Sequence, residues 1–355
     1  MEWLLIGGKF DDEGGEHSGY MDKLHEYLEL LLDDEISFHN GGNFDLLETL
    51  IKYFVSSHDV ILWFPEVPND KPKLVKEIKK KNHKCLLVSS KFNNGDYSFL
   101  DIISRALQSK SNLILEFTKA STRYYAVSVI DPLGNIFLKK EILINEVAIS
   151  LVKRINELSK FTRVRSESVG PYEESPVDEE FFKLSSKYAN VFHELIHGVN
   201  PSRFLGNLSF RCAKGFPSFR GDENRIYVSR RNIDKRDINK SGFVPISLSD
   251  SKGFVGYLGE NKPSVDAPIQ VKLYKYYPKI NYMIHSHLFI DGIKMTKRII
   301  PCGAIEEFYE IVALNPDCNI NSFYLNLKGH GSLVGARDLK DLENLKYIRR
   351  KDGGF

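Results

Sequence analysis

The chain has 355 residues, 42% apolar and 27% charged, with 49 Lys and Arg against 47 Asp and Glu for a formal net charge of +2. That length exceeds what one compact core accommodates and implies two domains of ordinary globular composition. The near-neutral balance excludes a nucleic-acid partner, so any phosphate recognition must come from local arginines and backbone amides.

Residues 1–160 alternate strand-like and helix-like segments. Strands are predicted at 3–6, 59–64, 84–89 and 113–117, and helices at 19–32, 46–55, 71–81 and 98–107. A hairpin at 124–138 turns at Asp131-Pro-Leu-Gly134, and an amphipathic helix at 145–158 closes the unit. Such alternation implies a Rossmann-like, mostly parallel sheet covered on both faces. A glycine-rich loop, 7–19, follows the first strand, where backbone amides can meet a phosphate. It is not G-x-G-x-x-G, and its Asp11, Asp12, Glu13 and Glu16 would repel an anion. A second turn is read at His39-Asn-Gly-Gly-Asn43. Residues 161–178 are polar and lack periodicity, which reads as an interdomain linker. A second α/β domain is expected over 179–355, its tail helical at 338–346.

Four cysteines, Cys85, Cys212, Cys302 and Cys318, stand far apart, so neither a disulfide framework nor a cysteine zinc site is indicated. The N-terminus lacks the basic stretch of a signal peptide, and no apolar run approaches membrane-spanning length. A soluble, cytoplasmic protein with no membrane partner is the expectation.

The chemistry concentrates late in the chain. His285-Ser286-His287 sits in an apolar run, 281–290, with the look of a buried strand. Side chains two apart on a strand point to the same face, so both imidazoles can reach one ion. His330 lies between two glycines after a second strand-like run, 322–327. Three neutral imidazoles with one open position commonly hold catalytic Zn²⁺. A rival stands at His193-Glu194-Leu195-Ile196-His197, a literal H-E-x-x-H, which on a helix would present two imidazoles and a general-base Glu as in a zinc protease. The extended protease pattern fails, because Asn200 stands where a glycine belongs. The competing reading is a helix packed through Phe192, Leu195 and Ile196.

From Ala189 onward the order of segments resembles the class II aldolase/adducin family. Gly206-Asn-Leu-Ser-Phe-Arg211 looks like the family's G-N-[LIV]-S-x-R strand. The segment 226–235 stands at its threonine-proline-serine-glycine loop, Lys262-Pro-Ser-Val-Asp266 at its proline-serine-x-glutamate, and Gly329-His330-Gly331 at its late H-G motif. The resemblance implies an α/β/α fold with a mostly antiparallel sheet. It also implies a divalent metal, usually Zn²⁺, on His285, His287 and His330, and a ring-like homotetramer. It places the acid/base carboxylate at Asp266, where the family usually has glutamate; the competing reading is that Asp266 caps the following helix. For the substrate's phosphate it implies Gly206, Asn207 and Ser264. Arg230 and Arg231 replace the hydroxyl-glycine pair there, and arginines suit an anion bidentately.

The implied function is a zinc-dependent lyase that cleaves a ketose phosphate by retro-aldol chemistry through a metal-stabilised enediolate. A dehydratase or epimerase of a similar sugar phosphate would use the same residues. A non-catalytic nucleotide- or sugar-binding module is the alternative from another class. The first domain loosely resembles nucleoside 2-deoxyribosyltransferase-like domains, which implies nucleotide or sugar binding. Leu74 falls near the place of that family's nucleophilic glutamate.

Overall fold

The computed structural model describes residues 1–67, 72–121, 124–196, 204, 206–211, 225–248 and 253–350. These form two compact units, Met1–Lys160 and Phe161–Phe355.

The first unit runs β1 (Trp3–Asp11), α1 (Gly19–Leu31), β2 (Ile36–Asn43), α2 (Phe44–Thr49), β3 (Val60–Trp63), α3 (Pro72–Lys81), β4 (Leu86–Asn93), α4 (Phe99–Ser109), β5 (Leu113–Lys119), β6 (Tyr125–Ile130), β7 (Ile136–Glu141) and α5 (Ile144–Ser159). Its seven strands lie in the order β2-β1-β3-β4-β5-β6-β7. The first five are parallel and the last two antiparallel. The unbroken apolar run of β3, buried at every residue, is what a strand covered on both faces requires. Helix α1 buries Met21, Leu24 and Leu28, one stripe at helical spacing. Helix α4 starts on a capping box between Ser98 and Asp101.

Two expectations fail here. The glycine-rich loop begins later than the sequence suggests, because β1 continues to Asp11. The turn read at 39–43 is instead the end of β2, paired as Gly7↔Asn40, Phe10↔Gly42 and Asp11↔Asn43. Pairing with a long neighbour overrides the weak strand preference of Asn and Gly.

The second unit runs β8 (Arg165–Gly170), α6 (Glu179–Ile196), β9 (Asn207–Phe210), β10 (Arg225–Ser229), β11 (Phe243–Ser247), β12 (Phe254–Leu258), α7 (Ala267–Tyr276), β13 (Tyr282–Ser286), β14 (Phe289–Ile290), α8 (Glu306–Leu314), β15 (Ser322–Leu327), β16 (Gly331–Ala336) and β17 (Tyr347–Ile348). Eight strands order as β15-β16-β13-β9-β10-β11-β12-β8. All neighbours are antiparallel except β12 and β8. Residues of α7 and α8 pack on one face of this sheet, around Met283, Leu325 and Leu333. Phe181, Phe182, Tyr188 and Phe192 of α6 pack on the other, around Phe210, Ile284 and Val334. This is a three-layer α/β/α arrangement.

The segment read as a linker contributes β8 to this sheet, parallel to β12. An edge strand with no buried face carries no apolar alternation, so its sequence looks like loop. The tail is not one helix either. A short 3₁₀ turn at Leu339–Leu342 gives way at Asn344, whose φ of 62° leaves the helical region, to β17 paired with β14.

Candidate metal centre

Strand β13 alternates between the two faces. Tyr282 and Ile284 join the α6 side and Met283 the α7–α8 side, which puts His285 on the α7–α8 side too. His287 follows just beyond the strand's end. His330 comes from the turn joining β15 to β16, its own N–H donating to Leu327 O at 2.9 Å. Ring centroids are 5.1 Å apart for His285 and His287, 4.7 Å for His285 and His330, and 5.1 Å for His287 and His330. One nitrogen from each ring lies within 4.8 Å of the others, and all three residues are buried. Two glycines permit this approach. A Cβ on Gly331, at φ +128°, would stand 2.0 Å from Ser286 O, and one on Gly206, at φ +78°, would stand 2.5 Å from His285 O. Any side chain at either place would push a neighbouring strand away from the end of β13.

Hydrogen bonds select the tautomers. Nδ1 of His285 donates to Ser332 O at 2.9 Å, leaving Nε2 buried without a hydrogen-bond partner. Nδ1 of His330 donates to the Glu307 carboxylate at 2.7 Å, leaving Nε2 facing the cluster. Burial, then the neighbouring His330, push His285 down to about 4. Burial, then His285, hold His287 well below the ordinary imidazole range. Burial works against the charge on His330 as well, but Cys302 and Glu307 outweigh it and raise that imidazole. Burial pushes the Glu307 carboxyl up, with the His330 beside it acting in the opposite direction. Three buried imidazoles, one with an orphaned nitrogen, are a donor set that fits a zinc-type divalent ion.

Asp266 stands beside this cluster, its Oδ2 4.0 Å from His285 Nε2. That oxygen accepts from Asn207 Nδ2 at 2.8 Å and from Ser264 Oγ at 3.4 Å. Oδ1 is buried with no hydrogen-bond partner. Asp266 occupies the N-cap position of α7 but makes no side-chain cap there, so the capping account fails. Asn207 is held in turn by Gln270 and donates to Ser264 Oγ at 3.2 Å.

Register places a row across three strands: His285 pairs with Asn207, and β9 pairs with β10 so that Arg230 follows opposite Asn207. Arg230 also bridges to Pro263, and its Nε is buried without a hydrogen-bond partner. Arg231 is exposed, and its Nε donates to the same Pro263, at its O, at 3.3 Å. Of the two arginines, register puts Arg230 in that row, with its guanidinium 5.9 Å from the centre of the Tyr172 ring. Arg211, the last residue of the glycine-asparagine motif, is structural. Its guanidinium donates to Ile280 O at 2.7 Å and Tyr277 O at 2.8 Å at the end of α7.

Three further residues belong to this site and had no cue in the sequence. Glu307 is an acidic residue in the first turn of α8, a place where acids are ordinary. Cys302 places Sγ 3.0 Å from His330 Nε2, though its spacing matched no ligand pattern. Lys235 is 5% exposed and donates to Phe204 O and Ile233 O. Burial lowers its ammonium to about 8, and its charge bears on both His285 and His287.

The rival motif lies on α6, which packs through Phe192 and, less fully, Leu195. His193 is partly exposed and Glu194 exposed, while His197 lies outside the described residues. In the first unit, the acidic loop binds itself. Asp11 Oδ1 accepts from the amides of Glu13 and Gly15, and Lys9 and Glu16 exchange backbone hydrogen bonds. Those amides are taken and form no phosphate cradle.

Residues 189–289 match the family model of the class II aldolase and adducin N-terminal domain. No curated protein sequence matches the chain. Among solved structures, the chain is similar to the DNA/pantothenate metabolism flavoprotein from Streptococcus pneumoniae, at 11% identity over 44% of this chain and 98% of that one, TM-score 0.33. An L-fuculose 1-phosphate aldolase is similar at 18% identity over 47% and 79%, TM-score 0.34. A sugar-phosphate aldolase from Thermotoga maritima is similar at 15% identity over 45% and 87%, TM-score 0.31. Likenesses of that size carry no argument about the reaction.

Proposed function

With residues 189–289 in the class II aldolase and adducin family, we propose that this chain is a metal-dependent lyase acting on a small phosphorylated sugar, which it cleaves by retro-aldol chemistry. The observation that carries this reading is the buried triad of His285, His287 and His330, with donor nitrogens within 4.8 Å of one another. A divalent ion there, zinc by its donor set, would supply Lewis-acid polarisation of the sugar's oxygens. The remaining work falls to side chains. Asp266 moves the proton through Oδ1, the oxygen left without a partner, while Asn207 and Ser264 hold Oδ2. Aspartate is one methylene shorter than the family's glutamate, but here it is buried within reach of His285 and fixed from one side. Positioning of that kind matters, since an error near 1 Å can cost roughly a hundredfold in rate. Arg230, the Gly206–Asn207 turn and Ser264 receive the substrate's anionic end, with Arg231 as a rim contact. Adducin-like members of the family that act as binding modules lack the metal histidines, and their presence here favours catalysis. A cytoplasmic homotetramer is part of the same reading. Among the described residues no helix is long and apolar enough to cross a membrane.

The test is elemental analysis of the wild type beside His285→Ala and His193→Ala, with product analysis on ketose phosphates. Near-stoichiometric zinc lost only in His285→Ala, with two carbonyl fragments formed, is the expected result. An intact carbon skeleton would reassign the reaction to an epimerase or dehydratase. Metal lost only in His193→Ala, or none in any sample, would sink the proposal.

A further inference from the structure

Cys302 lies in a short anchored loop ahead of α8. Ala304 N donates to Pro301 O at 3.2 Å, and Ile305 N donates to Thr162 O at 2.9 Å. Its free thiol stands 3.0 Å from His330 Nε2. Because Glu307 occupies Nδ1 of that ring, Nε2 is the one nitrogen His330 has left for an ion, and the sulfur sits against it. Within the same cluster, Nε2 of His285 is buried and has no hydrogen-bond partner. Asp266 is less well placed to donate to an ion, since its nearer oxygen is 4.0 Å from His285 Nε2 and already accepts from Asn207.

We propose that Cys302 is a fourth, thiolate donor to the ion held by His285, His287 and His330, an inference that rests on the metal-site reading above. A hydrogen bond joins the sulfur to Nε2, and an ion that binds Nε2 must replace it. Bonds of about 2.05 Å to nitrogen and 2.3 Å to sulfur set tetrahedral donors roughly 3.6 Å apart. The sulfur touches His330 Nε2 but lies outside the set of donor atoms within 4.8 Å of one another, so it has to retreat by about 0.6 Å from that nitrogen and swing toward His285 and His287 as the imidazole nitrogens draw together. The thiol proton leaves to solvent as the sulfur–metal bond forms. Such a set is closed at rest, so a substrate oxygen enters by displacing the thiolate or by raising the coordination number. A sulfur donor also favours zinc or cobalt over magnesium or manganese.

Titration of the metal-free protein with Co²⁺, followed by absorption and by proton release, tests this. The expected result is one ion per chain with intense near-ultraviolet sulfur-to-cobalt absorption. Cys302→Ser should still bind Co²⁺, without that absorption and with one proton fewer released. One equivalent of Co²⁺, lost in His285→Ala but lacking the absorption in the wild type, would overturn the thiolate role and leave the metal centre standing. No Co²⁺ bound would remove both. The decisive band is read on the wild-type protein, so a Cys302→Ser chain that fails to fold leaves the test intact, with Cys302→Ala as the comparison.

Discussion

Replacing Glu307 by Gln keeps the shape of the side chain and its capacity to accept from His330 Nδ1, but removes the charge. The contact is short, 2.7 Å, and Glu307 is 4% exposed, so water does not compensate. A hydrogen bond to a charged partner contributes about 1.5–3 kcal/mol. An outer carboxylate on a metal-binding histidine typically changes metal affinity about 10- to 100-fold, or about 1.4–2.7 kcal/mol. The two estimates agree, and they set the expectation: Glu307→Gln binds Zn²⁺ about 10- to 100-fold more weakly, by chelator competition on folded protein. Glu306, one residue earlier, accepts instead from Thr162 N at 3.1 Å. Glu306→Gln should stay within about twofold of the wild type. Equal affinities for wild type and Glu307→Gln would refute the idea that this carboxylate fixes and strengthens the third imidazole.

Gly331→Ala should cost about 3 kcal/mol or more, because a Cβ would sit 2.0 Å from Ser286 O at a φ of +128°. Thermal unfolding measures it, and a loss under 1 kcal/mol would show that the β13–β16 junction yields easily. Asp266→Asn should bind metal normally yet lose turnover by about a hundredfold or more; normal turnover would return the aspartate to a purely structural role. Metal-free protein should weaken in mild acid. His285, neutral when folded and held to about 4 against an ordinary value near 6.5, contributes about 3 kcal/mol. That contribution is full above pH 6.5 and is lost as pH falls toward 4. His330, raised instead, acts in the opposite sense, its contribution present in acid and lost as pH climbs through its elevated value. Denaturant unfolding of metal-free wild type against His285→Gln at pH 7 and pH 5 isolates the first effect. A stability difference that does not shrink with acid would contradict it.

Much of this protein was written locally. The two units, the parallel sheet of the first and a buried strand carrying His285 follow from apolar runs, alternation and spacing, while His287 comes just past that strand's end. Other features depend on which strands meet. The segment at 165–170, with no buried face to advertise, became a strand through its ladder with β12, and residues 36–43, rich in Asn and Gly, through theirs with β1. His330 reaches the pair only because β16 lies beside β13 and Gly331 lets the backbones close. Glu307 and Cys302 are distant in sequence from the first two histidines and ordinary in their own contexts. Packing of α8 and its preceding loop against the turn at His330 is what joins them to the imidazole, since a hydrogen-bond partner is set by distance in space and the sequence records only distance along the chain.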